Sequence, residues 1–309
     1  LKKQYFIFLV KNLNKYHSKK LPYTFWKIVL YPWLDAIIPK IFHLWKITYN
    51  LKKNLYCNIN SYKAESFIPN NFQDLYYYEN LDFNRWIASE CIVFQKRLKF
   101  KRNKKIFLTK INSQKKRENL FFKFYILLSK VMSKFFECRY MIYNIQISNI
   151  DFLLLNLRLG QFPFLWSLNE NISEKINLAN RENLFKIKVR DKSFYTFIKK
   201  ITPYILPKNY FENYQKINNK INKSYWPNKT KISITSISYW FDDFYKFWIA
   251  NQKIKNSKYF ILQHGGRMGL EKVITNLSTQ IEISDKFLSW GWSNKNKKII
   301  PFHSILLSR

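Results

Sequence analysis

Ile232-Ser233-Ile234-Thr235 and, further along, Tyr259-Phe260-Ile261-Leu262-Gln263-His264-Gly265-Gly266 decide the fold. In the first stretch Ile232 and Ile234 alternate with Ser233 and Thr235, and Ile237 follows, which is the two-residue period of a strand. In the second, Tyr259 to Leu262 is a short continuous apolar run, the mark of a strand buried on both faces of a parallel sheet. Between them lies a helical pattern. Ser238 can cap it, Asp242 and Asp243 sit early, where the helix dipole favours negative charge, and Trp240, Phe244, Phe247 and Trp248 form its apolar stripe. A helix between two such strands predicts a right-handed βαβ unit. A further helical pattern over Leu270, Val273, Ile274 and Leu277 leads to a third strand, Phe287 to Trp290. Residues 231–290 thus read as a Rossmann-like half.

The rest of the chain reads as largely helical. Residues 1–60 carry helical spacing in Trp26, Leu30, Trp33, Leu34 and Ile37, with Pro32 and Pro39 as expected interruptions. Residues 60–80 are polar and irregular, with a turn at Pro69-Asn70-Asn71. A short helix is predicted over 84–94 and a long one over 119–144, with an ambiguous apolar stretch at 151–168. Polar helices are expected over 176–200 and from Tyr210 to Ile221, around a turn bracketed by Pro203 and Pro207. The expected fold class is α/β: a Rossmann-like parallel sheet in the C-terminal third, preceded by a largely helical region. The expected division is 1–225 and 226–309.

Composition narrows the function. Apolar residues make up 47% of the 309 residues, enough to bury a substantial core. Every long apolar run is broken by Lys, Asn or Arg, so none reaches the roughly 18 residues of a membrane span. Cys57, Cys91 and Cys138 are odd in number and far apart, which excludes a disulfide framework and a structural zinc site and suits a reducing cytoplasm. Net charge is +35, from 54 Lys and Arg against 19 Asp and Glu, so the chain should attract polyanions. Abundant Lys, Asn, Ile, Phe and Tyr with scarce Gly, Ala and Pro also match AT-rich codon usage. The densest basic run, Lys96 to Arg117, reads either as a solvated loop or as a face for anionic headgroups at the inner membrane. No P-loop, G-x-S-x-G or H-E-x-x-H is present. No RRM, KH or zinc-finger signature accompanies the basic run, so nucleic-acid binding would rest on charge alone.

The candidate chemistry follows the second strand. Ligands of open parallel sheets bind beyond the carboxyl ends of the strands, where the chain reads Gln263-His264-Gly265-Gly266-Arg267-Met268-Gly269. Of five glycines, four (Gly265, Gly266, Gly269 and Gly291) fall in this region. Glycine permits positive φ and close approach to a ligand, and a Gly-rich turn opening a helix aims N–H groups at an anion. His264 suits general-base work because its ordinary pKa, about 6.5, lies near cellular pH. Arg267 could bind a phosphate or carboxylate. His17 and His43, in a helical aromatic region, read as structural.

Together these segments resemble a group of transferases encoded in bacterial surface-polysaccharide and O-antigen loci, similar to glycosyltransferases of the GT-B type. The strongest resemblance runs from Thr235-Ser236 through Asp243-Phe244-Tyr245-Lys246-Phe247-Trp248 and Gln263-His264-Gly265-Gly266 to Gly269. It closes on Ser284-Asp285-Lys286-Phe287-Leu288-Ser289-Trp290-Gly291-Trp292. Leu206-Pro207-Lys208, Tyr210-Phe211-Glu212, Trp226-Pro227, Tyr16-His17-Ser18, Phe25-Trp26-Lys27-Ile28 and Pro32-Trp33-Leu34 add to it, so that it covers about residues 14–295. Two departures stand out. Arg267 occupies a position usually aromatic, and of a Glu-rich stretch with its own His before the last strand only Glu282 remains.

The resemblance implies glycosyl transfer from a nucleotide-activated sugar, the donor substrate, to a surface polysaccharide or lipid-linked acceptor. His264 would be the base, and Gln263, Gly265, Gly266, Arg267, Gly269 and Glu282 would be substrate-binding, with no metal or further cofactor. It also implies a second, donor-holding Rossmann-like domain, which these 309 residues do not supply, so a partial chain is expected. The alternatives are a non-catalytic remnant or glycan- or membrane-binding half, a CDP-alcohol phosphotransferase, and a non-specific nucleic-acid-binding protein. The expected location is cytoplasmic and peripheral on the inner membrane.

Overall fold

The computed structural model describes residues 1–74, 81–106, 120–168, 172–271, 274 and 276–304. Val273 and the basic run from residue 107 onward lie outside them. The described chain forms an α/β structure with two parallel sheets. By internal packing it divides into two compact units. One comprises Leu1–Leu21, Trp33–Ser113 and Ile172–Gln215, the other Pro22–Pro32, Gln114–Asn171 and Lys216–Arg309.

The first unit holds α1 (Lys2–Tyr16), most of α2 (Tyr23–Asn50), β1 (Tyr56–Tyr62), α3 (Leu81–Gln95) and β2 (Lys99–Ile106). It also holds α6 (Leu178–Leu184) and α7 (Phe194–Ile205). α2 runs unbroken through Pro32 and Pro39, against the expected interruptions. Trp33, Leu34 and Ile37 are buried along it, and that burial offsets the roughly 3 kcal/mol cost of a proline inside a helix. The basic run begins as strand β2, which pairs in parallel with β1, rather than as a loop. A buried polar cluster fastens the unit's far segments. Arg181, wholly buried, forms a two-pronged ion pair with Glu212 (2.6 and 2.7 Å) and donates to the carbonyls of Pro203 and Leu206. His17 Nε2 lies 3.0 Å from the Tyr210 carbonyl, with its ring against Tyr214.

The second unit contains α4 (Leu120–Met132), β3 (Tyr140–Tyr143), α5 (Asn149–Arg158) and, partly, α8 (Tyr214–Lys223). These are followed by β4 (Ile232–Thr235), α9 (Ser238–Phe241), α10 (Asp243–Ile254), β5 (Lys258–Leu262), α11 (Leu277–Ile283), β6 (Lys286–Trp290) and β7 (Ile299–Phe302). Its five strands are all parallel in the order β3-β4-β5-β6-β7. The predicted strand–helix–strand–helix–strand succession is therefore present as β4-α10-β5-α11-β6. Because the order is sequential, this sheet has no point at which the strand order reverses, and its carboxyl edge is one continuous rim.

Four details differ from the sequence reading. The predicted helix over 119–144 stops at Met132, and Tyr140–Tyr143 is edge strand β3 instead. The helix expected from Leu270 starts at Leu277. Asp242, not Ser238, caps α10 by accepting a 2.9 Å hydrogen bond from the Tyr245 N–H. In β4 the small polar residues face inward: Ser233 and Thr235 are wholly buried and Ile232 and Ile234 half-buried. Their hydroxyls find partners in Thr230 and the Ser238 N–H, which makes that burial tolerable. Among the described residues no helix is long and apolar enough to cross a membrane.

Candidate functional site

The loop after β5 is built by one side chain, Gln263. Its N–H continues the ladder to the Leu288 carbonyl at 2.9 Å. Its Nε2 donates back into the loop, to the carbonyls of Gly265 (2.7 Å) and Met268 (3.3 Å). Its Oε1 accepts from the Trp290 N–H (2.9 Å) and the Trp292 indole N–H (2.7 Å). Two donors and two acceptor positions exhaust the carboxamide. Gln263 therefore shapes the loop from within, with no hydrogen-bonding capacity left for a ligand.

Gly269 completes the interlock. Its φ is +91°, and a Cβ there would lie 2.7 Å from the Trp292 ring. Gly291, at φ +80°, turns the chain between Trp290 and Trp292. The two segments that stood out in sequence, Gln263–Gly269 and Trp290–Trp292, are thus one packed unit across the ends of β5 and β6. Gly265 and Gly266 differ. Neither has a positive φ, a Cβ at 265 would meet nothing within 4 Å, and one at 266 only the rim of Trp290 at 3.8 Å. Among the described residues no packing requires glycine there, which leaves space beside these α-carbons.

His264 lies between Gln263 and Gly265 in the chain. It is half-buried, its ring 6.1 Å from that of Tyr239 on α9, and its Nδ1 is enclosed without a hydrogen-bond partner among the described residues. Burial lowers its pKa below the ordinary value, so at neutral pH the ring is uncharged and able to accept a proton. Next to α9, Asp243 and Lys246 form a buried 2.6 Å ion pair, and Lys246 also donates to the Trp240 carbonyl. The Asp242 carboxyl is pushed up by burial, against the pull of the Tyr245 N–H and the Tyr143 hydroxyl at 2.7 Å. In sequence these acids read only as a contribution to the helix dipole. The Asp-x-x-Lys spacing, one helical turn, was the signal for the pair.

The remaining expected residues are placed less centrally. Arg267 is exposed and pairs with Glu271 four residues on. Glu282, on α11, turns its carboxylate to Lys27 at 2.7 Å. A narrow pocket of about 20 Å³, room for about one water, lies along the carboxyl rim between Gln146, Ser236, Gln263, Trp290 and His303. His303, at the end of β7, was not singled out as a site residue in the sequence and joins the rim through it. Among the described residues no three His, Cys, Asp or Glu side chains converge as a metal site would need. A far larger cleft opens at the opposite, amino-terminal edge of the same sheet.

The chain belongs to a transferase family: the family model described as LIC12162 family transferase matches residues 1–309. No curated protein and no solved structure matches the chain.

Proposed function

We propose that this transferase moves a sugar from a nucleotide-activated donor to a hydroxyl of a cell-surface polysaccharide or lipid-linked acceptor, with His264 as general base. The observation that supports the reading is the half-buried, uncharged imidazole of His264, next in the chain to Gly265, where a side chain would meet no described residue within 4 Å. In the step, the acceptor hydroxyl gives its proton to His264 while its oxygen attacks the anomeric carbon. The bond from that carbon to the donor phosphate breaks, and its electron pair leaves with the nucleotide. Loop N–H groups at 265–267 can approach the phosphates closely because the glycines carry no side chains. Arg267, exposed at the loop's outer edge, supplies a cation there. Gln263, Gly269, Trp290 and Trp292 hold the loop and are positioning residues.

The test is to present the protein with a panel of nucleoside-diphosphate and nucleoside-monophosphate sugars, together with CDP-alcohols, and lipid-linked acceptors. Transfer from a nucleotide sugar that disappears in His264→Asn supports the reading. Turnover of a CDP-alcohol alone would replace it with alcohol-phosphate transfer. Donor binding without turnover in any mixture would replace it with a binding role.

A further inference from the structure

Two helices of the second unit are inside out. α4 is held to the protein by its polar side chains: the Tyr125 hydroxyl donates to the Pro163 carbonyl at 2.6 Å, and the buried Ser129 hydroxyl accepts from the Leu165 N–H at 3.0 Å. Its most exposed apolar residues among those described lie on one face. Leu120 (83% exposed), Phe124 (63%), Leu127 (58%) and Val131 (43%) fall at steps of four, three and four, which is one helix face. The turn that follows adds Phe135 (74%) and Phe136 (53%). α5 repeats the arrangement: Asn156 is buried and bonded to Gln161, while Ile150, Leu153, Leu154 and Leu157 lie exposed at i, i+3, i+4 and i+7. Scattered apolar residues are normal on a surface, but stripes of this kind mark an interaction site.

Charge selects the occupant. Lys123, Lys130 and Lys134 stand exposed on α4 and its following turn. Lys130, Lys134, Phe135 and Phe136 also line the large cleft at the amino ends of β3, β4 and β5, about 1700 Å³ in volume. Eight Lys and Arg side chains, Arg139 and Lys231 among them, line that cleft against one carboxylate, Glu137. A second copy of this chain would oppose like charges on such a face. Nucleic acid would meet the lysines and could stack on Phe124, Phe135 and Phe136, but it would leave Leu120, Leu127, Val131 and the four Ile and Leu of the α5 stripe, which have no ring face, uncovered. An anionic bilayer answers both features, because acyl chains accept the apolar stripe and headgroup phosphates the lysines.

We propose that α4 and the lysine-lined cleft beside it dock the protein on an anionic phospholipid surface. The stripe enters the headgroup–acyl boundary and the cleft gathers lipid phosphates. This surface is independent of His264, so either assignment can fail alone. The experiment is co-sedimentation of the full chain with vesicles of phosphatidylcholine, with and without phosphatidylglycerol. The variants are Phe124→Ser/Leu127→Ser and Lys130→Glu/Lys134→Glu, each compared with wild type by thermal melting. Wild type should pellet with the anionic vesicles. The serine pair should weaken binding by about tenfold or more at an unchanged melting temperature, because two apolar side chains no longer bury. The glutamate pair should weaken it by at least about fivefold per charge. As a second readout, the emission of Phe124→Trp minus that of wild type, which removes the ten native tryptophans, should shift to the blue on anionic vesicles. Equal pelleting of wild type and the serine pair, an unshifted Trp emission, or a concentration-dependent dimer abolished by the serine pair would each overturn the proposal.

Discussion

The side-chain oxygen of Gln263 accepts the indole N–H of Trp292 at 2.7 Å, and through that bond the loop after β5 and the turn after β6 become one structure. Trp292→Phe keeps an aromatic side chain but removes the donor and the five-membered ring that packs on Gly269. The oxygen retains the Trp290 N–H, so a loss of at least about 1 kcal/mol is expected. Gln263→Leu removes the partner of two N–H groups and two carbonyls at once, and should cost at least about 3 kcal/mol. Urea unfolding of the two variants checks both values. In the double variant the two losses should fall short of additive, because Gln263 is the group that Trp292 bonds.

The glycines divide into two kinds, and alanine separates them. Gly269→Ala forces a Cβ into the Trp292 ring at a φ that L-residues avoid, and should destabilise by more than ~1 kcal/mol. Gly265→Ala meets no atom of the described residues within 4 Å and should leave stability within about 0.5 kcal/mol of wild type. If the open space belongs to substrate, Gly265→Ala will nonetheless raise KM or lower kcat. Melting temperature and steady-state transfer, measured on both variants, distinguish packing from substrate space.

His17 predicts a pH dependence of stability unrelated to catalysis. Burial lowers its pKa to about 4, from an ordinary 6.5. Between those values the unfolded chain binds the proton and the folded chain does not. Stability from this residue is therefore complete above pH 6.5 and is lost as pH falls toward 4, by roughly 3 kcal/mol. Denaturant titrations at stepped pH on wild type and His17→Gln should differ in slope across that window and run parallel above it.

The central strands were legible because their signals are short-range. Ile232 to Thr235 alternates, Tyr259 to Leu262 is continuous, and Phe287 to Trp290 ends on the Trp-Gly-Trp turn. The edge strands were not. Tyr140–Tyr143 is four residues behind an apolar helix and shares its composition, and β7 carries Pro301, which an edge tolerates and a sequence pattern does not suggest. Nor did the pattern show that Pro32 and Pro39 lie within one helix, since tertiary burial of Trp33 and Ile37 outweighs the local penalty. At the site, the position of His264 and the clustering of glycines were visible. The saturation of Gln263 and the pairing of Glu282 with Lys27 were not, because they depend on partners 29 and 255 residues away. The inside-out face of α4 was hidden as well, since an apolar stripe is written identically whether it faces a core or solvent.

The pH–rate profile of transfer, measured side by side for wild type and His264→Asn, tests the central claim most directly. With His264 as base, wild-type kcat/KM should fall on the acid side as the imidazole becomes protonated, with a midpoint below 6.5 because burial lowers that pKa. The asparagine variant should lose about 10²–10⁴ in rate at neutral pH, and with it the acid limb, at an unchanged melting temperature. A variant that keeps wild-type turnover, or one that keeps the same acid limb, would contradict the assignment of His264 as the base.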